Sequence, residues 1–128
     1  MQRPEIRNWW EQAKRDLITA KNCEKSKDYY ASVFFCQQAV EKGLKALFIL
    51  RKRKSPGTSH SLVYLAKETK VPEKFLKLLK NLTPEFVITR YPDVAGEVPH
   101  KLYDESIARD FIKQSQELMK WLKSKIER

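Results

Sequence analysis

Hydrophobic side chains recur at three- and four-residue spacing along most of the chain, which is the period of an α-helix. The first such run covers residues 4–24 and opens on Pro4, a residue suited to the first helical position. After a polar break, residues 29–50 are apolar on nearly every face, and Asp28 is available as their N-cap. The pattern predicts a surface helix followed by a buried central helix.

Shorter segments follow the predicted central helix. The turn at 51–57 is basic and ends in Pro-Gly, after which Thr58 or Ser59 can cap a short third helix. Pro72 opens a fourth helix, and the Thr-Pro pair at 83–84 breaks or restarts it.

The last part of the chain combines a loop with a final helix. Residues 91–103 contain two prolines and a glycine without a usable period, so we expect a structured loop there, and a loop of about a dozen residues is often functional. Asp104 is expected to cap the final helix.

The strand-like run 86–88 is too short to support a sheet. The chain is therefore predicted to be one all-α domain over 1–128, an up-and-down bundle of four long helices plus one short helix.

Composition narrows the class of protein. With 41% apolar residues, 33% charged residues and only three glycines, the chain is typical of one soluble helical domain. It has no run of about 18 apolar residues and no secretory pattern at its start, so a cytoplasmic protein without membrane contact is predicted. Cys23 and Cys36 lack the spacing of a zinc or redox site, so we expect no metal.

The charge balance favours an anionic partner. Twenty-six basic and 16 acidic residues give a net charge of +10, which suits nucleic acid, nucleotides or an acidic protein. A lysine-rich solvated surface explains the same charge equally well. Walker A, GxSxG, HExxH and GxGxxG motifs are all missing from the sequence, so no cofactor is implied.

A polar stripe interrupts the predicted central helix. Its members share three- and four-residue spacing: Gln38, Glu41, Lys42 and Lys45. Because buried polar groups need partners, Gln38 and Glu41 are expected to pair with Asp16 or Lys14 of the first helix. The two lysines are expected to extend outward, towards a phosphate. A core network or a dimer seam is the preferred interpretation of the stripe.

The sharpest local constellation is Arg90-Tyr91-Pro92-Asp93. A guanidinium, an aromatic ring and a carboxylate within four residues can hold a nucleotide, while an internal Arg90–Asp93 ion pair that closes the loop is equally compatible. His60, which follows the basic turn, is interpreted as a histidine that hydrogen-bonds locally at the start of the third helix, in preference to a general acid or base.

These motifs together resemble a known family. The resemblance is carried by Phe34-Phe35-Cys36-Gln37-Gln38-Ala39-Val40-Glu41-Lys42, by His60-Ser61-Leu62 and by Arg90-Tyr91-Pro92-Asp93. They are similar to the HEPN domain of prokaryotes. The resemblance implies a bundle of four to five helices, commonly a homodimer, with a nucleotide or RNA partner. It also implies a minimal nucleotidyltransferase as partner protein in a toxin–antitoxin-like pair.

Many members of that family are metal-independent ribonucleases with an Arg and a His separated by four to six residues. Here nine residues separate Arg90 from His100, and Arg53 and His60 match the spacing only by coincidence, in the connection after the central helix. We therefore expect a binding module for a nucleotide, RNA or a nucleotidyltransferase. The alternatives are a ribonuclease using Arg90 and His100, and a structural adaptor dimer. The predicted ligand-binding residues are Arg90, Tyr91, Asp93, Gln38, Glu41, Lys42, Lys45 and Asp16.

Overall fold

The computed structural model describes residues 3–128, and the regular structure in this range is helical. The α-helices are α1 (Pro4–Lys25), α2 (Tyr29–Lys52), α3 (Leu62–Thr69), α4 (Leu76–Leu82), α5 (Glu85–Ile88), α6 (Pro92–Ala95) and α7 (Glu105–Ile126). Two 3-10 turns cover Glu73–Phe75 and Pro99–Leu102. The predicted all-α bundle is confirmed. It contains three long helices rather than four, because the predicted fourth helix is divided.

The bundle is organised around α2, which packs against both α1 and α7. Its apolar residues are fully buried on several faces, as predicted for a central helix. Gly43 of α2 lies against side chains of both α1 and α7. A Cβ atom added to Gly43 would lie 2.9 Å from Leu122 Cδ1 and 3.4 Å from the Trp10 ring. The missing side chain of Gly43 thus sets the spacing of α1, α2 and α7.

Side-chain hydrogen bonds fix the starts of α3 and α7. Asp104 accepts a hydrogen bond from the Ile107 amide at 2.9 Å, so its predicted role as the cap of the final helix is confirmed. Ser61, not Thr58 or Ser59, caps α3 by accepting from the Tyr64 amide at 3.2 Å. The predicted cap was wrong because the turn after α2 continues to residue 60 before helical geometry begins.

The start of α2 is different. Asp28 occupies the N-cap position, as predicted, but its side chain forms no capping hydrogen bond with the helix. Its Oδ2 instead accepts from the Ser26 hydroxyl at 2.9 Å, within the turn that joins α1 to α2. The beginning of α2 therefore depends on the packing of its buried faces more than on a local cap.

The segment between α3 and α7 is more broken than its sequence pattern indicates. Thr83 ends α4 as predicted: its hydroxyl donates to the Leu79 carbonyl at 2.8 Å and accepts from the Leu62 amide at 3.2 Å. Residues 91–103 are not a continuous loop, because a proline with its fixed φ opens both α6 and the second 3-10 turn. The hydroxyl of Tyr103 then donates to Glu85, which ties this segment back to α5.

Two further observations limit the chemistry of the fold. Burial raises the pKa of the fully buried Cys36 thiol to about 12, and neither Cys36 nor Cys23 forms a disulfide. Within residues 3–128, no group of three or more His, Cys, Asp or Glu side chains is placed to hold a metal ion. None of the helices in this range combines the length and apolarity needed to cross a membrane.

Candidate functional site

A buried carboxylate, that of Glu41, lies at the centre of the polar stripe on α2. Its Oε1 accepts from Gln37 Nε2 at 3.0 Å, its Oε2 lies 3.1 Å from Lys45 Nζ, and His60 Nδ1 lies 2.9 Å from Oε1. Glu41 and Lys45 are each only 4% exposed and Gln37 is fully buried. Three hydrogen-bonding partners therefore compensate the desolvation of one buried negative charge.

The direction of Lys45 corrects one prediction. Its ammonium group does not extend outward but turns onto Glu41 and lies 5.3 Å from the centroid of the Trp9 ring. A buried ammonium needs both a counter-charge and a suitable surface, and Glu41 and Trp9 provide them. Lys45 is therefore part of the scaffold and is not available to a phosphate.

The predicted link between α2 and Asp16 exists, although a different residue makes it. Lys42 Nζ lies 2.6 Å from Asp16 Oδ2, and Gln12 Nε2 donates to Asp16 Oδ1 at 3.0 Å. Gln38 does not reach α1, since it donates to Gln37 Oε1 at 2.7 Å. Lys14, the other partner considered, pairs with Glu11 and Glu127 instead. Asp16 and Lys42 thus satisfy each other, which favours a structural role for both.

His60 joins this network from the connection between α2 and α3. Because a carboxylate can only accept, the contact with Glu41 places the proton of the neutral imidazole on Nδ1 and leaves a lone pair on Nε2. The ring stacks on Phe86, with centroids 3.8 Å apart and planes inclined by 16°. The side chain remains 47% exposed. His60 is therefore held in one orientation at the surface, by a partner 19 residues away rather than by the local bond predicted.

Arg90, at the end of α5, is held by aromatic rings. Its Nε donates to the Phe86 carbonyl at 2.8 Å, and its guanidinium carbon lies 4.4 Å from the Phe86 ring centroid and 5.0 Å from that of Phe34. Arg90 is exposed and forms no ion pair with Asp93 or any other carboxylate of residues 3–128. The internal ion pair considered from the sequence is thus not formed.

Phe86 brings the two exposed basic groups together, since His60 and Arg90 both contact its ring. We call this region the His60–Arg90 surface; it consists of Phe34, Glu41, His60, Phe86 and Arg90. The imidazole is a potential proton acceptor, and the guanidinium, which has no carboxylate partner in the described residues, is a potential group for binding an oxyanion; both contact the same aromatic ring.

The other residues predicted around Arg90 lie at or near this surface. Tyr91 is 46% exposed and its ring centroid lies 5.0 Å from the Arg90 guanidinium, while Asp93 is exposed in the first turn of α6. His100 contacts the edge of the Tyr30 ring, with centroids 6.4 Å apart. Tyr30 precedes Phe34 by one turn of α2, so His100 and Arg90 lie beside adjacent turns. The histidine that shares an aromatic ring with Arg90 is nevertheless His60.

Sequence reasoning did not select Gln37, His60 or Phe86 as site residues. Gln37 lies one helical turn before Glu41, so their pairing could have been found from spacing alone. The contacts of His60 with Glu41 and Phe86 join residues that are 19 and 26 positions apart, and no local pattern reports them.

Comparisons with known proteins agree with this architecture. The model of the HEPN domain family matches residues 6–125. The chain is 31% identical over 126 residues to the protein named "Putative toxin MJ1304" from Methanocaldococcus jannaschii, covering 87% of this chain and 81% of that relative.

Two solved structures share the fold over nearly their whole length. The crystal structure of TT1696 from Thermus thermophilus superposes with a TM-score of 0.86 and 28% identity, covering 96% of this chain and 99% of that one. The crystal structure of ST0689, an archaeal HEPN homologue, gives a TM-score of 0.81 and 29% identity, covering 98% and 99% of the two chains. The chain therefore belongs to the HEPN domain family, as its sequence motifs predicted.

Proposed function

We propose that this HEPN protein binds RNA, with a phosphate group held at the His60–Arg90 surface. The observation that carries the proposal is the Arg90 guanidinium, which is exposed, has no carboxylate partner in the described residues and is oriented by Phe86 and Phe34. Guanidinium groups form strong, directional hydrogen bonds with phosphate oxygens. The exposed ring of Tyr91 offers a stacking surface for a base beside that phosphate.

Charge supports the choice of an anionic ligand. The net charge of +10 attracts polyanions at long range and speeds their association. The relative named as a toxin supports a toxin-like role for this chain.

Replacement of Arg90 by glutamine tests the binding site. We expect a 12-nucleotide single-stranded RNA to bind the Arg90→Gln variant roughly 10- to 100-fold more weakly, because a hydrogen bond to a charged group contributes about 1.5–3 kcal/mol. Fluorescence anisotropy at low salt measures this loss. The matched control is Arg15→Gln, an exposed arginine of α1 outside the surface. Equal affinities for the two variants would contradict the proposal.

A second function, ribonuclease activity, is favoured by the contact between Glu41 and His60. We propose that His60 Nε2 accepts the proton of a ribose 2′-hydroxyl, whose oxygen then attacks the adjacent phosphorus. A 2′,3′-cyclic phosphate forms, the bond from phosphorus to the 5′-oxygen breaks, and that oxygen takes a proton from solvent. Arg90 Nη atoms neutralise the charge that develops on the phosphate oxygens. The histidine in this role is His60, in place of the His100 considered from the sequence.

Cleavage is tested with the same RNA, the wild-type protein and two variants. We expect the wild type to release a fragment ending in a 2′,3′-cyclic phosphate, detected by mass spectrometry, and His60→Gln to reduce the rate at least about 100-fold, since general base catalysis contributes that much. Replacing the 2′-hydroxyls by 2′-O-methyl groups removes the nucleophile and serves as the substrate control. If His60→Gln kept full cleavage activity and His100→Gln lost it, the general base would be His100 and not His60. If the wild type binds the RNA but does not cleave it, the ribonuclease proposal is contradicted and only the binding proposal remains.

A further inference from the structure

A basic cavity lies at the end of the bundle where α1 begins and where α2 and α7 end. Its volume is about 510 Å³, and its floor is formed by isoleucines and a leucine of these three helices. The basic residues that line it are Arg3, Arg51, Arg53, Lys125 and Arg128. Among the described residues that line the cavity there is no aspartate or glutamate.

Four of the five cations around this cavity have no ion pair with a carboxylate of the described residues, while Arg3 Nη1 lies 3.6 Å from Glu5 Oε1. Arg51 donates to the Thr69 carbonyl and lies 5.7 Å from the centroid of the Trp121 ring, and Lys125 lies 5.6 Å from the same ring. Arg53 is the residue that follows the last turn of α2, and its backbone is left-handed with a φ of 55°. Its side chain has no ion pair with a carboxylate in the described range. Cations collected in one concave space repel each other, and a bound anion relieves this repulsion.

The basic cavity and the His60–Arg90 surface lie at the two ends of the chain segment that joins α2 to α3. A neighbouring hollow of about 350 Å³ shares Arg3 and Ile49 with the cavity and is lined by Glu5, Trp9 and the turn at 54–57. His60 follows that turn after two residues. The Trp9 ring contacts the ammonium group of Lys45, which is the ion-pair partner of Glu41. Phe34 beside Arg90 and Arg51 in the cavity are separated by about 25 Å along α2, at about 1.5 Å per residue.

We propose that the basic cavity is a second phosphate-binding site, which holds another part of the same single-stranded RNA that is bound at the His60–Arg90 surface. This inference rests on the proposed function and adds to it the length and path of the ligand. A strand that contacts both sites follows the 54–57 turn over about 25 Å, which is about seven nucleotides at the spacing of about 3.4 Å per stacked nucleotide. Shorter ligands contact the His60–Arg90 surface alone.

The test compares two RNA lengths on a variant that removes two cavity cations. Arg53→Gln/Lys125→Gln is measured against Lys113→Gln/Lys120→Gln, which removes two exposed lysines of α7 that do not line the cavity. The probes are fluorescein-labelled uridylyl-uridine and a 12-nucleotide oligouridylate, measured by anisotropy over a series of salt concentrations. Circular dichroism establishes that both variants are folded.

We expect the cavity variant to bind the 12-mer at least about tenfold more weakly than the control variant and to bind the dinucleotide equally well. The slope of log affinity against log salt concentration should decrease by about 1.4, because each phosphate contact of a single strand contributes about 0.7. If both variants bind the 12-mer alike while Arg90→Gln weakens it, the second site is overturned and the proposed function stands.

Other outcomes separate the two proposals further. A wild-type protein that binds neither probe overturns the proposed function, and this inference with it. Loss of 12-mer binding in the cavity variant but not in Arg90→Gln supports the cavity and overturns the assignment of the His60–Arg90 surface. Tripolyphosphate is the final probe. If the cavity variant loses tripolyphosphate binding but binds the 12-mer as the control variant does, the cavity binds small polyanions, and the proposed RNA path through it is overturned.

Discussion

Replacing Glu41 by methionine is expected to lower the free energy of unfolding by about 3–5 kcal/mol, the usual cost of removing one partner from a buried ion pair. Lys45 is 4% exposed and would lose its counter-charge, and the fully buried Gln37 would lose the oxygen to which its amide donates. Urea unfolding followed by circular dichroism measures the change. The loss is large because the ammonium of Lys45 would be left buried next to the Trp9 ring without a counter-charge.

A double variant shows whether the loss comes from the unpaired charge. Glu41→Met/Lys45→Met removes both charges, and an apolar pair of similar volume commonly costs little or even stabilises. We therefore expect the double variant to be more stable than Glu41→Met alone. Glu117→Met, at an exposed position of α7, controls for the loss of a carboxylate in general. A double variant less stable than the single one would show that Lys45 has another partner in the fold.

Replacing Gly43 by valine is expected to cost about 3 kcal/mol, the upper part of the range for overpacking in a core. Even a Cβ atom at this position would lie 2.9 Å from Leu122 Cδ1 and 3.3 Å from Met119 Sδ, and valine adds two methyl groups beyond it. Both neighbours belong to α7, so the substitution forces α7 away from α2. Thermal and urea unfolding measure the loss.

A compensating substitution identifies the site of the clash. In the Gly43→Val background, Leu122→Ala provides space next to residue 43, so the double variant should be more stable than the sum of the two single losses indicates. Additive losses would mean that Leu122 does not carry the strain. Wild-type stability of Gly43→Val would show that α2 and α7 separate without cost.

The long helices were predictable because their signals are local. The apolar periodicity of residues 4–24 and 29–50 predicts α1 and α2 nearly to their ends, and Asp104 caps α7 as its position suggested. The region between α3 and α7 could not be divided correctly from sequence. Its short helices depend on long-range bonds, such as those of the Thr83 hydroxyl to α3 and of the Tyr103 hydroxyl to Glu85.

The candidate site shows the same limit. Arg90 and Glu41 were recognised because their residue types are unusual in their local surroundings, a guanidinium beside aromatic rings and a carboxylate in an apolar helix. His60 was assigned to a local bond because nothing near it in the sequence indicates Glu41 or Phe86. Lys45 was assigned to the surface because spacing on a helix gives a direction but not the depth to which that face is covered.

The buried thiol of Cys36 has a consequence for the protein's response to oxidants and electrophiles. A thiol whose pKa is about 12 is almost entirely protonated at neutral pH, and the thiolate is the form that reacts. Cys36 therefore reacts only when α2 separates from its neighbours, while the partly exposed Cys23 is accessible in the native state. Burial and the nearby Asp28 also raise the pKa of the Cys23 thiol, which slows its reaction in intact molecules, and oxidants reach Cys36 only in molecules that have already begun to unfold.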